Sequence, residues 1–345
     1  MKAHLVWDLQ FGSTGKGLLA GWIANVVGAD SCVCAFSPNA GHTYVDEYDR
    51  KYVHTMLPIA ATAPSVRRVH IGPGAVVNFE SLRREIDFLE ETGGRKLGRD
   101  YNLYIHENIA VVTEADREAE KVLNVIGSTQ KGSMEATIRK MRRGMQRDEW
   151  PEWADQYSVS PEWFTRSLSI AGNLIVEGAQ GYSLSLHHGI YPYVTSRDTT
   201  PHQILADCAV PWGHETEIYG CARTHPIRVA NRHNPEGEQI GFSGPCYFDQ
   251  YELNWDALGV KPELTTVTRL PRRVFTFSPA QIREAMQIGR CDTVFLNFCN
   301  YVKNPVELEE MTSVFRRENP RVKMIYGYGP SHWDIKDYIR GDFYG

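Results

Sequence analysis

His4-Leu5-Val6-Trp7-Asp8-Leu9-Gln10-Phe11-Gly12-Ser13-Thr14-Gly15-Lys16-Gly17-Leu18-Leu19-Ala20 decides the fold. The apolar run His4–Leu9 reads as a buried strand, and the run from Leu18 to Ala24 reads as the opening of a helix. Between them lies a turn rich in glycine with one lysine. Strand, glycine-rich turn, lysine and helix together make a phosphate cradle. Glycines let backbone N–H groups approach phosphate oxygens, the helix N-terminus adds a favourable dipole, and Lys16 adds positive charge. The pattern departs from GxxxxGK[ST], because Gln10 stands at the first glycine position and Gly17 at the Ser/Thr position. Taken alone, the loop fits either a cradle or an ordinary glycine-rich turn.

Working outward, apolar β-branched runs alternate with helical patterns, which predicts an α/β fold with a mainly parallel central sheet flanked by helices. Candidate strands are His4–Asp8, Ser31–Phe36, Val69–Ile71, Asn102–His106, Asn173–Glu177, Glu215–Cys221, Asp292–Asn297 and Val322–Ile325. Candidate helices are Gly15–Val27, Glu80–Glu91, Glu114–Val125, Met134–Gln146, Pro161–Ala171, Thr199–Cys208, Pro279–Ile288, Pro305–Arg317 and Ser331–Ile339. Arg228–Leu253 is polar and turn-rich and reads as a long excursion. No linker composition interrupts the chain, so residues 1–345 are expected to form a single domain. Ligands of parallel sheets gather beyond the carboxyl ends of the strands. Asp8–Lys16, Ser37–His42 and Glu177–Gly181 all follow candidate strands and can converge there.

The net charge of −5 argues against a general nucleic-acid binder. Basic residues cluster locally at Arg139–Arg147 and Arg269–Arg273, which suits small anionic ligands. The seven cysteines include no CxxC pair, so reduced thiols in a cytoplasmic compartment are expected (the host cytoplasm if the protein is viral). His187-His188 looks metal-like, but neighbours on a strand point apart, so it is read as structural.

Further motifs join the first loop. Asn39-Ala40-Gly41-His42-Thr43, Glu177-Gly178-Ala179-Gln180-Gly181 and Tyr191-Pro192-Tyr193-Val194-Thr195-Ser196 follow it in this order. With Gly12–Gly17 they resemble the adenylosuccinate synthetases, which carry GDEGKG, NAGHT, EG(A/T)QG and YPYVTS. Ile71–Val77, the segment Thr265–Arg273 and Tyr328-Gly329-Pro330 resemble the family's IGxGVVV strand, its aspartate loop TTGRRRR and its C-terminal TGP. The resemblance spans about residues 4 to 330 and implies the P-loop-like fold of that family.

By this resemblance, Ser13, Lys16, His42 and Gln180 hold the catalytic positions. His42 would contact the γ-phosphate and the purine O6, and Lys16 would neutralise the phosphoryl oxygens. Ser13, Asn39, Thr129, Arg142, Gln180 and Thr195 match contacts to the nucleotide substrate, with Arg142 crossing a homodimer interface. Gly12, Thr14, Gly15, Lys16, Gly17, Asn297, Gly329 and Pro330 match the nucleoside triphosphate site. Thr266, Val267, Thr268 and Arg272 match the L-aspartate site, with Arg272 suited to grip carboxylates bidentately. Mg2+ is the implied cofactor, with Ser13 and the Gly41 carbonyl as its neighbours.

Three departures from the family pattern carry information. Ser13 replaces an aspartate that, in the family, takes the N1 proton of hypoxanthine and binds magnesium. A hydroxyl is a poor base at neutral pH, but the shorter side chain leaves room for an amino group at C2 of the purine. One branch of the family, the viral 2-aminoadenylosuccinate synthases, carries a small residue here and acts on dGMP. Leu270 stands where the family has an arginine that reaches the ribose 2′-OH, which suits a deoxynucleotide. Leu296–Asn300 lacks the TKxD aspartate that reads guanine, with Cys299 or Asn300 in its place, so ATP or dATP is the expected donor. The expected reaction joins L-aspartate to C6 of dGMP through a 6-phosphoryl intermediate, as a carbon–nitrogen ligase forming ADP and phosphate. The N1 proton acceptor stays open among water, a substrate group and the phosphate. The alternatives are an adenylosuccinate synthetase acting on IMP with GTP or ATP, and an inactive nucleotide-binding module.

Overall fold

In the computed structural model the described residues are 1–121, 131–145, 147–234, 236, 238–265 and 270–337. A ten-stranded sheet runs through the molecule in the order Ile335–Asp337, Lys323–Gly327, Thr293–Asn297, Glu215–Arg223, Lys2–Asp8, Asn173–Glu177, Ser31–Cys34, Arg68–Ile71, Asn102–His106 and Ser158–Val159. Every pairing is parallel except the one that adds Ile335–Asp337. The expected α/β architecture is therefore present.

Lys2–Asp8 lies at the middle, in register with Asn173–Glu177 on one side and Glu215–Cys221 on the other. A strand covered on both faces must be apolar on both. Leu5 and Trp7 enter one core layer, while Val6 enters the opposite layer with the helix residues Leu18, Leu19 and Ile23. That helix, Lys16–Val26, is buried from Lys16 to Ala24, which accounts for its nearly uniform apolar composition.

The candidate strands and most candidate helices are found within a few residues of their expected ends. The expected helix Ser331–Ile339 is not formed across its described part. A Ser331–Asp334 capping box closes one 3-10 turn, and Ile335–Asp337 then pairs antiparallel with Ile325–Gly327. Hydrogen bonding of Ile335–Asp337 to the sheet edge outweighs continuation of the capped turn as a helix. His42 is also not in a loop. It opens the strand His42–Val45, which pairs with Lys51–His54 as a hairpin over the Lys16–Val26 helix. His187 and His188 sit exposed in a turn rather than on a strand, their N–H groups donating to Ser185 Oγ. Among the described residues no group of three His, Cys, Asp or Glu side chains could hold a metal ion, and no helix is long and apolar enough to cross a membrane.

His70 illustrates how this core handles polar groups. Its ring is fully buried, donates from Nδ1 to the Cys32 carbonyl at 3.0 Å, lies 2.9 Å from Ser167 Oγ and stacks on Tyr104. Burial pushes its pKa down to about 4. Between pH 6.5 and 4 the unfolded chain binds a proton here that the folded chain refuses, so stability falls as pH drops through this window. The loss from this group alone is about 2 kcal/mol at pH 5. Urea denaturation at pH 7 and pH 5 measures it: the drop is expected to shrink by that amount in His70→Gln. Equal drops in the two proteins would refute the assignment.

Candidate active site

The Gly12–Gly17 loop is built on the carboxylate of Asp8. Asp8 ends the central strand and is buried, 1% exposed. Its Oδ1 accepts from the backbone N–H of Gln10 (2.9 Å) and Gly12 (3.2 Å). Its Oδ2 accepts from Thr14 Oγ1 at 2.6 Å and pairs with Lys16 Nζ at 2.8 Å. One side chain thereby satisfies two loop amides, one hydroxyl and one buried ammonium. The loop also needs its glycine. Gly15 has φ +96°, and Asn297 packs directly against it, so a Cβ there would meet both a disfavoured backbone angle and a wall.

Other loops close on this one. Gly181 presses against the Gln10 carbonyl, Asp8 Oδ1 and the Gly12 nitrogen with no room for a Cβ. Gln180, at φ +61°, donates from Nε2 to Asn39 Oδ1 at 3.2 Å. His42 stacks on Phe36 with centroids 4.0 Å apart. Its pKa is held well below 6.5 by burial, then by the nearby Lys16 ammonium and by His54, so the ring is neutral at pH 7.

These loops enclose a cavity of about 540 Å³ at the carboxyl ends of the parallel strands. The expected residues Gly12, Ser13, Gly15, Lys16, Gly17, Asn39, Gly41, His42, Gln180 and Arg272 all line it. Leu270 lines it too, so the wall is apolar at that point. Among the described residues that line it, four, Lys16, Arg228, Arg232 and Arg272, are basic, against one carboxylate, Glu263. A larger hollow of about 620 Å³ beside Phe79 and Trp150 contains none of the loop residues.

Several expected site residues stand elsewhere. Thr14 is fully buried with its hydroxyl on Asp8, so only its backbone faces the loop. Asn297 is wedged between Gly15 and Gly327 and donates from Nδ2 to the Thr14 carbonyl at 3.2 Å, while its Oδ1 accepts from Phe298 N. Both ends of its amide are thus bonded to backbone, and it shapes the Gly12–Gly17 loop. Gly329 and Pro330 follow the strand Lys323–Gly327, outside the cavity wall. Thr195 donates its N–H to the carbonyl of Leu184, which does line the cavity. Arg142 is exposed at the end of the helix Ser133–Met141. Thr129, Thr266, Val267 and Thr268 lie outside the described residues.

Sequence reasoning missed Asp8, Arg223, Arg228 and Glu263. Asp8 had a local signal, an acid at the end of a buried strand directly before a glycine-rich turn. Arg223 and Glu263 had none, because their partners are distant in sequence. Arg228 is buried over the Phe11 ring, and burial, with Arg273 nearby, lowers its pKa to about 10.

A family model described as adenylosuccinate synthetase matches residues 5–150 and 148–310. The chain belongs to the adenylosuccinate synthetase family. Within the family it is 40% identical to the N6-succino-2-amino-2'-deoxyadenylate synthase of Acinetobacter phage SH-Ab 15497, covering 99% of this chain and 95% of the relative. It is 41% identical to the enzyme of the same name from Salmonella phage PMBT28, covering 97% of both. In three dimensions it is similar to the succinoaminodeoxyadenylate synthetase of cyanophage S-2L, described as bound to dGMP and to dATP as an energy donor. That match has a TM-score of 0.87 and 39% identity, over 97% of this chain and 95% of the other. Adenylosuccinate synthetase from Plasmodium falciparum shares the fold at a TM-score of 0.73 and 16% identity, over 96% of this chain and 98% of the other.

The Asp8 arrangement yields a direct test. An asparagine at position 8 presents its NH2 either to Lys16 and Thr14 or to the two loop amides, a donor facing donors in both cases. Asp8→Asn is expected to destabilise the protein by about 3 kcal/mol, as loss of one partner of a buried ion pair does. It should also weaken binding of an ATP analogue. Urea unfolding and calorimetric titration measure the two effects; stability within 1 kcal/mol of the parent would refute the role.

Proposed function

We propose that this protein joins L-aspartate to C6 of dGMP, with ATP or dATP as phosphoryl donor, and acts as a cytoplasmic homodimer of single-domain subunits. The observation that carries this reading is Ser13 on the wall of the cavity that Gln180 and Asn39 also line, where an acid would crowd an exocyclic amine. Leu270 on the same wall offers no partner to a 2′-OH, and an unmatched polar group in a buried site costs about 1–3 kcal/mol. The phage relatives and the dGMP-bound neighbour point the same way.

In the first step O6 of the purine attacks the γ-phosphorus, the bond to the β-phosphate oxygen breaks to release ADP or dADP, and the N1 proton passes to water, a substrate group or the phosphate. Lys16 and the Gly12–Gly17 amides carry the phosphoryl charge. Neutral His42 donates a hydrogen bond toward the oxygen on which charge builds. In the second step the amine of aspartate attacks C6 and phosphate departs with O6. Arg272, with Thr266, Val267 and Thr268, holds the carboxylates, and Asn39, Thr129, Gln180 and Thr195 hold the nucleotide. Gly329 and Pro330 border the donor site.

Mg2+ prefers hard oxygen ligands and takes few from protein when phosphates supply the charge. The Ser13 hydroxyl and Gly41 carbonyl, both on the cavity wall, are oxygen donors of this kind and would hold it. Bound there, Mg2+ would neutralise phosphate charge.

Incubation with aspartate, ATP and either dGMP or IMP tests the substrate. Turnover of dGMP with little of IMP is expected; turnover of IMP alone would overturn the reading. Ser13→Asp is expected to lower kcat/KM for dGMP at least tenfold, and unchanged dGMP kinetics would remove the steric argument.

The exposed position of Arg142 supports its role across a dimer interface. Mixing Arg142→Ala with Lys16→Ala subunits should restore up to about a quarter of parental activity, since half of each mixed dimer's sites would be intact. No recovery in mixtures that demonstrably exchange subunits would refute that placement.

A further inference from the structure

Arg223 ends the strand Glu215–Arg223 and is 0% exposed. Its backbone is gripped by one side chain: Gln10 Oε1 accepts from Arg223 N at 2.9 Å and Gln10 Nε2 donates to Arg223 O at 3.2 Å. Its guanidinium reaches three loops at once. Nη1 donates to the Ser13 carbonyl at 3.1 Å, in the phosphate loop. Nη1 also donates to Glu263 Oε2 at 3.2 Å, while Nη2 pairs with Glu263 Oε1. The guanidinium carbon sits 3.8 Å from the centre of the Phe298 ring.

Glu263 is the foot of the segment that leads into the expected aspartate loop. Its carbonyl accepts from Arg272 N at 2.8 Å, and just inside it Leu264 bridges Pro271 and Thr265 N donates to the Leu270 carbonyl. Tyr301 Oη donates to its carboxylate at 3.2 Å. Burial pushes the Glu263 pKa upward, but the charge and hydrogen bonds of Arg223 outweigh that and hold it below the ordinary glutamate value.

Two of the residues Arg223 touches are in strained conformations. Ser13 has φ +56° and Phe298 has φ +60°. Side chains other than glycine hold such angles only when their surroundings over-determine them. Arg223 bonds the carbonyl of one and covers the ring of the other. A shift of Glu263 must therefore move a rigid fork whose other contacts are the Ser13 peptide and the Phe298 ring.

We infer that Arg223 and Glu263 form a positioning clamp that couples the seating of the aspartate loop to the shape of the phosphate loop at Ser13. The identity of the ligands rests on the function proposed above. Neither residue is given a chemical step; they act through Ser13. By reciprocity, what the aspartate side does to the phosphate side, the phosphate side does in return.

Three variants test it: Glu263→Gln removes the charge, Arg223→Lys removes the fork, and Tyr301→Phe, the mildest, removes one hydrogen bond. Thermal melts confirm that each is folded at the assay temperature. In Glu263→Gln and Arg223→Lys the KM for aspartate is expected to rise at least tenfold and kcat to fall at least tenfold, with the KM for dGMP within threefold of the parent. Tyr301→Phe should show the same split at about threefold and serves if the other two do not fold. A uniform change in all constants, or constants within twofold of the parent, overturns the clamp.

A readout without turnover separates this failure from failure of the proposed reaction. Binding of a non-hydrolysable ATP analogue is titrated calorimetrically with and without L-aspartate, dGMP being present throughout. The parent should bind the analogue at least fivefold more tightly with aspartate, and Glu263→Gln should lose that factor. A parent without coupling, or a variant that keeps it, overturns the clamp. Absence of dGMP ligation by the parent would sink the proposed function instead.

Discussion

Everything at this site hangs on a carboxylate that never faces the cavity. Asp8 is buried at the end of the central strand and gathers two amides, a hydroxyl and the Lys16 ammonium around its two oxygens. A buried ion pair is a weak source of net stability, because desolvation nearly cancels the attraction. Its value here is geometric. The strand is fixed by parallel partners on both sides, so Asp8 cannot move, and the loop must fold to meet it. Gly181 then closes over Asp8 and Gln10 with no space for a side chain, which carries the same constraint into the second loop.

The sequence made the scaffold legible because its signals are local. The strand before the glycine-rich turn, the buried helix after it and most alternating elements follow from period and apolar runs within a dozen residues. Loops that follow parallel strands converge by topology, so the meeting of the loops that carry Ser13, Asn39 and Gln180 follows from local signals, whereas His42 arrives on a hairpin strand. What escaped depends on distant partners. Arg223 meets Ser13 across 210 positions and Glu263 across 40, and no local pattern announces either contact. Across its described part the Ser331–Ile339 expectation failed for the opposite reason: a capping box does close one turn at Ser331–Asp334, but the edge beside Lys323–Gly327 offered the chain more hydrogen bonds. Asn297 was expected in the nucleoside triphosphate site by family resemblance, whereas packing between two glycines turns its amide toward the loop backbone.

Among the described residues six non-glycine residues have positive φ, and three of them, Ser13, Gln180 and Phe298, fall on the cavity wall. Such angles cost of order 1–3 kcal/mol each, and surrounding contacts must make up the difference. Those contacts are visible: Arg223 on the Ser13 carbonyl, Asn39 on the Gln180 side chain, and Asn297 and Arg223 on Phe298. Strain concentrated where loops converge marks a site whose shape is set before a ligand arrives, which suits chemistry that works mainly by positioning.

Charge completes this logic. The chain carries a net charge of −5, yet among the described residues the cavity wall has four basic side chains and one carboxylate, and that carboxylate is tied to Arg223. Lys16 is held by Asp8 and Arg228 by three backbone carbonyls, so these cations are placed before binding. An anionic ligand therefore meets charges whose desolvation and ordering have already occurred on folding. Its own phosphates and carboxylates need only displace water, and binding strengthens with each anionic group that reaches a fixed partner. A ligand set with two phosphorylated nucleotides and a dicarboxylate exploits this more fully than any single nucleotide could, which favours a multi-substrate ligase over a passive nucleotide-binding module.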